Sequence, residues 1–477
     1  MKIKVLILIL GLIFSVLITA CSGNESPANE TTPAQGAEET LPEKTYLDDL
    51  GARDFKGEKF TIIIQDADSF KKFYASEELT GEPIQDASYM RDRQIEERYN
   101  IKIEYIPKNY DAIAGLMRSS LASGDYLCDM VINAAIILAP PVMEGLLYNL
   151  AALPYLTLDS SPWWSKLMYD NLKFDGKLFI MSGDIFPGMY MAPAAMYVNQ
   201  KLLVDYNITD NLYEMVFTGT WTLDVLERLT KDLYFDLNGD GIMTDIDDFF
   251  GSIHQDHSLA SNTFCAAMGI KLSTIKDNTI IVDLISETAV ERIERLSSFF
   301  KPYVSTDGST LISETFMNDK AIFMTHYLES AFNSLRTMES DFGILPVPKY
   351  NEAQATYNSF TNPYNGASIS VPFLINPEKV GFIMEAMGYL SYEMLRPNVY
   401  ELTLKTKLAR DTASMDIVDI IIETSYLDLN GLYNFGGSTD IVRNTLFDKK
   451  PLLSAYQSAE SRIQGDIDKY IDSISGE

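Results

Sequence analysis

The chain has 477 residues, with 67 Asp and Glu against 38 Lys and Arg, for a formal net charge of −29. Such a surface repels nucleic acid and anionic lipid headgroups and excludes a nucleic-acid-binding role. Three cysteines exclude a disulfide framework, and the three histidines, at 254, 257 and 326, form no HExxH-type metal site. Whether Cys128 and Cys265 pair stays open.

Lys2 and Lys4 precede an apolar run from Val5 to Ile18, too short for a comfortable membrane span, and the run ends in "ITAC" at 18–21. A small-residue site directly before a cysteine resembles the bacterial lipoprotein lipobox. It implies a signal peptide over 1–20 and lipidation of Cys21; an ordinary secretory signal is the plain alternative. The following "SGNESPANETTPAQGAEETLPEKT" (22–45) has no aromatic and no Ile, Val, Phe or Met. It cannot offset its ordering entropy by burial and reads as a tether, with a mean reach on the order of 25–30 Å. With the lipidated cysteine the tether is expected to run over 21–54.

The rest is too long for one ordinary core and predicts two lobes. "KFTIIIQ" (59–65) is a buried-strand signal, "DASYMRDRQIEERYN" (86–100) a helix, and "IKIEYI" (101–106) an alternating strand. "YDAIAGLMRSSLASGD" (110–125) is a helix ending near Gly124, "DMVIN" (129–133) a third strand, and "IILAPPVMEGLLYNL" leads into the next helix. That alternation predicts a largely parallel α/β sheet. "AAMYVNQKLL" (194–203) is a strand running into a helix, and "GTWTLDVLERLTKDL" (219–233) is amphipathic with a Thr at its start. "ETFMNDKAIFMTHYLES" (314–330) reads as helix, strand and turn; "DFGILPVPKY" (341–350) and "GASISVP" are strands, and helix dominates from 377.

In order, "DMVIN", "PWW" (162–164), "DGKLFIMSGD" (175–184), "MYVNQKLL", "GTWTLDVLERL", "FMNDKAIFM" and "FGILPVPKY" resemble the extracellular solute-binding proteins of carbohydrate-type ABC importers, family 1. The tail from "LTLKTKLARD" to "LYNFGG" is similar to a subgroup of Gram-positive surface lipoproteins. The resemblance covers nearly all of 55–477. It implies an α/β, two-lobed periplasmic-binding-protein-like (type II) fold with an interlobe ligand cleft and a hinge. By element order, lobe 1 takes 55–190 and 285–340, and lobe 2 takes 191–284 and 341–477, with crossovers near "MYMAPAAMY" and "ILPVPKY". It also implies a monomer on the extracellular face of the cell membrane, held by its lipid anchor and delivering a carbohydrate to permease subunits. A surface glycan-binding or sensory lipoprotein of the same fold is the alternative.

A sugar cleft needs aromatic faces and a few planar polar groups at strand ends facing the crevice. That rule nominates Asp66, Asn133, Tyr190, His257, His326, Tyr327, Tyr364 and Tyr433. His326 and Tyr327 stand where the resemblance implies a ligand-stacking aromatic. Trp221 and the "PWW" pair read as packing anchors. No G-x-S-x-G elbow or phosphate-cradling glycine loop is present, and no catalytic residue or cofactor is expected. The stretch "YFDLNGDGIMTDIDDFFG" (234–251) fits the spacing of a calcium loop: Asp236, Asn238, Asp240, the Ile242 carbonyl, Thr244 and Asp247, with Gly241 at the turn. A structural Ca2+ clip is expected there, and an Asx-rich turn is the plain alternative.

Overall fold

The computed structural model describes residues 44–67, 77–241, 243, 247–300, 309–364, 367–405 and 413–475. The expected signal peptide, Cys21 and the tether as far as 43 lie outside the described residues, as do Ile242 and Thr244.

The tether ends sooner than expected. Residues 45–54 are docked: Tyr46–Leu50 is a helix, Leu47 is buried in the core, and Asp48 receives Arg98 at 2.5 Å. The composition changes at Tyr46, where aromatic and aliphatic side chains reappear and supply the burial that the preceding stretch lacks.

Two sheets carry the fold. The first has the order β12-β3-β1-β2, from Ala367–Ser370, Met130–Ala134, Glu58–Gln65 and Ile101–Lys108. β1 pairs in parallel with β2 and β3, as the alternation predicts, and β12 adds antiparallel to β3. Phe60 and Ile62–Ile64 are buried on both faces, the pattern of a central strand in a covered sheet. The second sheet has the order β10-β4-β9-β6-β5, from Phe342–Leu345, Ala194–Asn199, Ala321–Tyr327, Phe249–Ile253 and Tyr234–Phe235. It is mixed: only β6 and β9 run parallel.

Strand pairing redraws the expected partition. Element order assigns β9 to the lobe of 55–190, yet it lies between β4 and β6 in the second sheet. All seven of its residues are buried, so it requires neighbours on both edges. Conversely, Val380–Leu390 and Ile441–Ile474 belong to the first core instead of the second lobe. The chain passes from the first core to the second between Phe186 and Tyr190 and crosses between them several more times, among them between Ile253 and Phe264, Leu345 and Val347, Leu390 and Val399, and Ile421 and Tyr426. Cys128 and Cys265 are buried and unpaired. Trp221 is a packing anchor, fully buried, with Nε1 donating to the Pro346 carbonyl at 2.9 Å.

The helix Pro83–Tyr99 is bolted in place by Arg91, which has no solvent exposure. Arg91 donates to Asp92 at 2.8 Å, to the Ile185 carbonyl at 2.8 Å, to Ser391 at 3.1 Å and to the Tyr105 hydroxyl at 2.8 Å. Tyr105 in turn donates to the second oxygen of Asp92 at 2.8 Å. Burial pushes the Asp92 carboxyl above its ordinary range, and the Arg91 charge pulls against that shift. Removing the cation leaves a buried acid unpaired, so Arg91→Ala should cost about 3–5 kcal/mol. Replacing both partners by apolar groups (Arg91→Met with Asp92→Leu) should recover much of it. Urea midpoints check this, and a single variant within about 1 kcal/mol of the parent would show that the network does not hold the helix.

Candidate functional site: an interlobe cavity

Between the two cores lies a cavity of about 500 Å³, within the size range of small-molecule sites. Trp164 and Met168 on its wall belong to the first core, while Met189 and Ile422 pack against the second. Seven hydroxyl side chains line it: Ser160, Ser161, Ser165, Ser182, Thr361, Ser368 and Ser425. Its charged groups balance, with Asp159 and Glu423 against Lys166 and Arg396.

Local sequence explains the wall. Ser165 caps the helix Lys166–Leu172, its Oγ accepting from the Met168 N–H at 3.3 Å, and its own N–H donates to the Ser182 carbonyl at 3.0 Å. Lys166 is paired with Asp170 one turn on, and the Arg396 guanidinium sits 5.3 Å from the centre of the Tyr392 ring. The Thr361 and Ser425 hydroxyls lie 2.5 Å apart, tying β11 (Ser359–Phe360) to β13 (Ser425–Tyr426). This is an array for holding hydroxyls, with no histidine among its lining residues to activate a serine.

A polar row borders the cavity. Ser368 of β12 lies opposite Asn133 of β3, and one step beyond the Ile64–Ile132 pair brings Gln65 beside Asn133. Cross-strand neighbours share a face. Gln65 Oε1 and Asn133 Nδ2 are buried without a hydrogen-bond partner. Asn133 Oδ1 accepts from the Ala134 N–H at 2.7 Å.

The second sheet brings all three histidines of the chain together where β6 and β9 end. His254, Gln255, Thr263, Thr325, His326 and Tyr327 line a cavity of about 10 Å³, room for about one water. His254 is held between Ser252 Oγ at 2.8 Å and Thr325 Oγ1 at 2.9 Å. His326 Nδ1 meets Ser330 Oγ at 2.6 Å, and its Nε2 has no partner. His257 caps the helix Ser258–Ala267, Nδ1 accepting from the Ala260 N–H at 3.3 Å, with Nε2 at 2.6 Å from Gln255 Oε1.

The sequence-predicted residues therefore fall in several places. Asn133 stands next to the cavity through Ser368, and His257, His326 and Tyr327 share the histidine cluster. Asp66 is exposed at the end of β1, and Tyr364 is half exposed after β11. Tyr190 is buried at the crossover, its hydroxyl donating to Asp184. Tyr433 packs in the tail against Phe435 and Tyr470, at centroid distances of 5.7 and 4.8 Å. None of the eight lines the larger cavity. Trp164, Arg396 and Glu423 do, and sequence reasoning missed them. The visible signal is "PWW" (162–164), which by sequence alone reads as a packing anchor.

In the aspartate-rich loop the Asp236 carboxylate accepts the Gly239 N–H at 2.6 Å and the Gly241 N–H at 2.7 Å. Asn238 Oδ1 accepts from the Asp240 N–H at 2.8 Å. These are Asx-turn bonds. Among the described residues no three His, Cys, Asp or Glu side chains are grouped to hold a metal ion.

Burial lowers His254 to about 3 and His326 to about 4, from an ordinary 6.5. The stability that neutral histidines provide is therefore present above 6.5 and lost as pH falls through that value toward about 4. A His326→Gln variant lacks this loss. Its melting temperature relative to the parent should rise as pH is lowered from 6.5 toward 4; a pH-independent difference would remove His326 from the titration.

No family model matches the chain, and no curated protein matches it. Among solved structures, a cyclo/maltodextrin-binding protein in complex with maltotetraose superposes with a TM-score of 0.57 at 14% identity, covering 88% of this chain and 97% of the other. At that identity the likeness speaks for the fold. The chain shares the mixed α/β fold of that structure.

Proposed function

We propose that this chain is a carbohydrate-binding solute-binding protein that captures a sugar or oligosaccharide between its two cores and delivers it to an ABC permease. The observation that carries the reading is the cavity of about 500 Å³ between the cores, lined by seven hydroxyls, one indole and a balanced set of charges. Aromatic surface meets the C–H face of a pyranose while small polar groups order its hydroxyls. The chain crosses between the cores at several points, Phe186–Tyr190 and Leu345–Val347 among them, and short connections of this kind suit a hinge. The ligand then selects the closed state by its differential affinity. In this proposal Cys21 carries the lipid anchor, the protein acts as a monomer at the outer membrane face, and no catalytic step is involved. For the loop at 236–247 the proposal is a structural Ca2+ clip.

Two measurements follow. Calorimetry against malto-, cello-, xylo- and galacto-oligosaccharides should find at least one binder, and saturation at a hundred times Kd should add about 2.7 kcal/mol of stability, read as a higher melting temperature. Silence across the panel would sink the carbohydrate reading. For the loop, EDTA should lower the melting temperature of the parent and leave Asp236→Ala unchanged. An indifferent parent would reduce the loop to a turn.

A further inference from the structure

Several crossings between the cores meet at the cavity. Ser182 lines it just ahead of the crossing Phe186–Tyr190 and Met189 from within it. Arg396 lines it from within Leu390–Val399, and Ile422, Glu423 and Ser425 from within Ile421–Tyr426. A change in the angle between the cores therefore moves these side chains against one another.

Asp184 stands at the first-core end of one crossing and is bonded to its second-core end. It has no solvent exposure, and its Oδ1 accepts from the hydroxyl of Tyr190, a residue of the second core that lies beside Leu328, Ile344 and Val418. Its Oδ2 is buried without a hydrogen-bond partner. A carboxylate oxygen so placed is costly unless the group carries a proton or a cation comes to it. Burial lifts this carboxyl to about 7, while the Tyr190 bond and the Arg396 charge pull it down.

The neighbouring elements account for their own charges. The helix Pro83–Tyr99 brings Arg91 to the Ile185 carbonyl, but Asp92 balances that guanidinium at 2.8 Å. Trp164, bridged to Gly183, donates its Nε1 to Glu385 at 3.0 Å, and Glu385 also accepts from Tyr46 and Thr157. Arg396 differs. It lies on the cavity wall, and its charge reaches Asp184 without a hydrogen bond to Oδ2.

We propose that Asp184 and Arg396 form a proton-linked latch between the crossings: a ligand that closes the cavity brings the Arg396 guanidinium onto Asp184 Oδ2, the carboxyl ionises, and its proton passes to the solvent. The O–H bond is the one bond broken, and the guanidinium takes up the charge left on the carboxylate. Asp184 is a positioning residue for Arg396 and touches no ligand itself. The inference rests on ligand capture in this cavity as read above. The carboxyl holds its proton more tightly in the unlatched state than in the latched one, so acid favours the unlatched state. Affinity is full above about 7 and falls as pH is lowered through 7, by up to about tenfold per pH unit.

Calorimetry tests the latch, with maltotetraose, or whichever sugar of the panel binds more tightly, titrated at about pH 6 in buffers of different ionisation enthalpy. The parent should release about one proton per ligand bound, and its affinity should fall as pH is lowered from 7. Asp184→Asn should release none and bind with an affinity independent of pH. Glu329→Gln, which removes a second carboxyl raised to about 7, should release as the parent does. If Asp184→Asn does not fold, Arg396→Met takes its place and should likewise bind without proton release. A parent that binds sugar and releases no proton, or a latch variant that releases as the parent does, overturns the inference and leaves the carbohydrate reading intact. A parent that binds no sugar of the panel overturns both.

Discussion

A guanidinium cut off from water organises the first core. Arg91 joins its own helix to Tyr105 on β2, to Ser391 on the long helix Pro377–Lys405, and to the Ile185 carbonyl just ahead of the crossover. A buried charge is tolerable only where its hydrogen-bond fork is satisfied, and here a carbonyl, a hydroxyl, a phenol and a carboxylate all answer it. One consequence reaches beyond stability. At this crossing the chain leaves the first core from a carbonyl held by Arg91, and the next few residues carry it into the second core. Those residues include the short helix Gly188–Met191, whose Tyr190 already belongs to the second core.

Asp184, the residue before that anchor, shows the same site from its weaker side. Its N–H donates to the Trp163 carbonyl at 2.8 Å and its Oδ1 accepts the Tyr190 hydroxyl, yet its Oδ2 is buried without a partner. Burial lifts its carboxyl to about 7 against the pull of the Tyr190 bond and the Arg396 charge. Gln65 Oε1, Asn133 Nδ2 and His326 Nε2 are likewise unpartnered, and all three lie at strand ends. Native proteins satisfy nearly all such groups, and exceptions gather where a ligand or a movement completes them. Other unpartnered atoms, on Ser88 and Tyr99, sit inside the first core and have no such explanation.

Most elements of the first sheet were legible because burial on both faces leaves an apolar run that needs no partner to be seen, as in Phe60–Ile64. The helix after Trp221 was legible through its N-cap at Thr222. What failed was assignment. β9 follows the helix Ser309–Met317 in sequence but joins strands more than fifty residues upstream of it, and no local pattern encodes that pairing. The site failed for the same reason. Trp164 was visible, but its placement depends on Glu385, 221 residues away, and on the absence of a side chain at Gly183 and Gly388. The histidines looked dispersed because 254 and 326 meet only once β6 and β9 lie side by side.

The electrostatics set the surface apart from the cavity. The chain carries −29 overall, yet two acids and two bases line the cavity, Lys166 is already paired, and Arg396 rests on an aromatic ring. An ionic solute entering there would lose hydration against counter-charges that are already balanced, whereas a neutral polyhydroxylated one would lose little. The buried titratable groups follow a related logic. Glu329 and Asp184, both raised to about 7 by burial, contribute stability that is lost as pH rises from their ordinary 4.5 and 3.8 through 7. The histidines lose theirs in the opposite direction, below 6.5. Between about 4.5 and 6.5 the two slopes oppose each other, so the contribution of these groups to stability is muted there. What burial keeps neutral in this protein is the polar machinery around the crossover and the strand ends, apart from the charged groups that line the larger cavity.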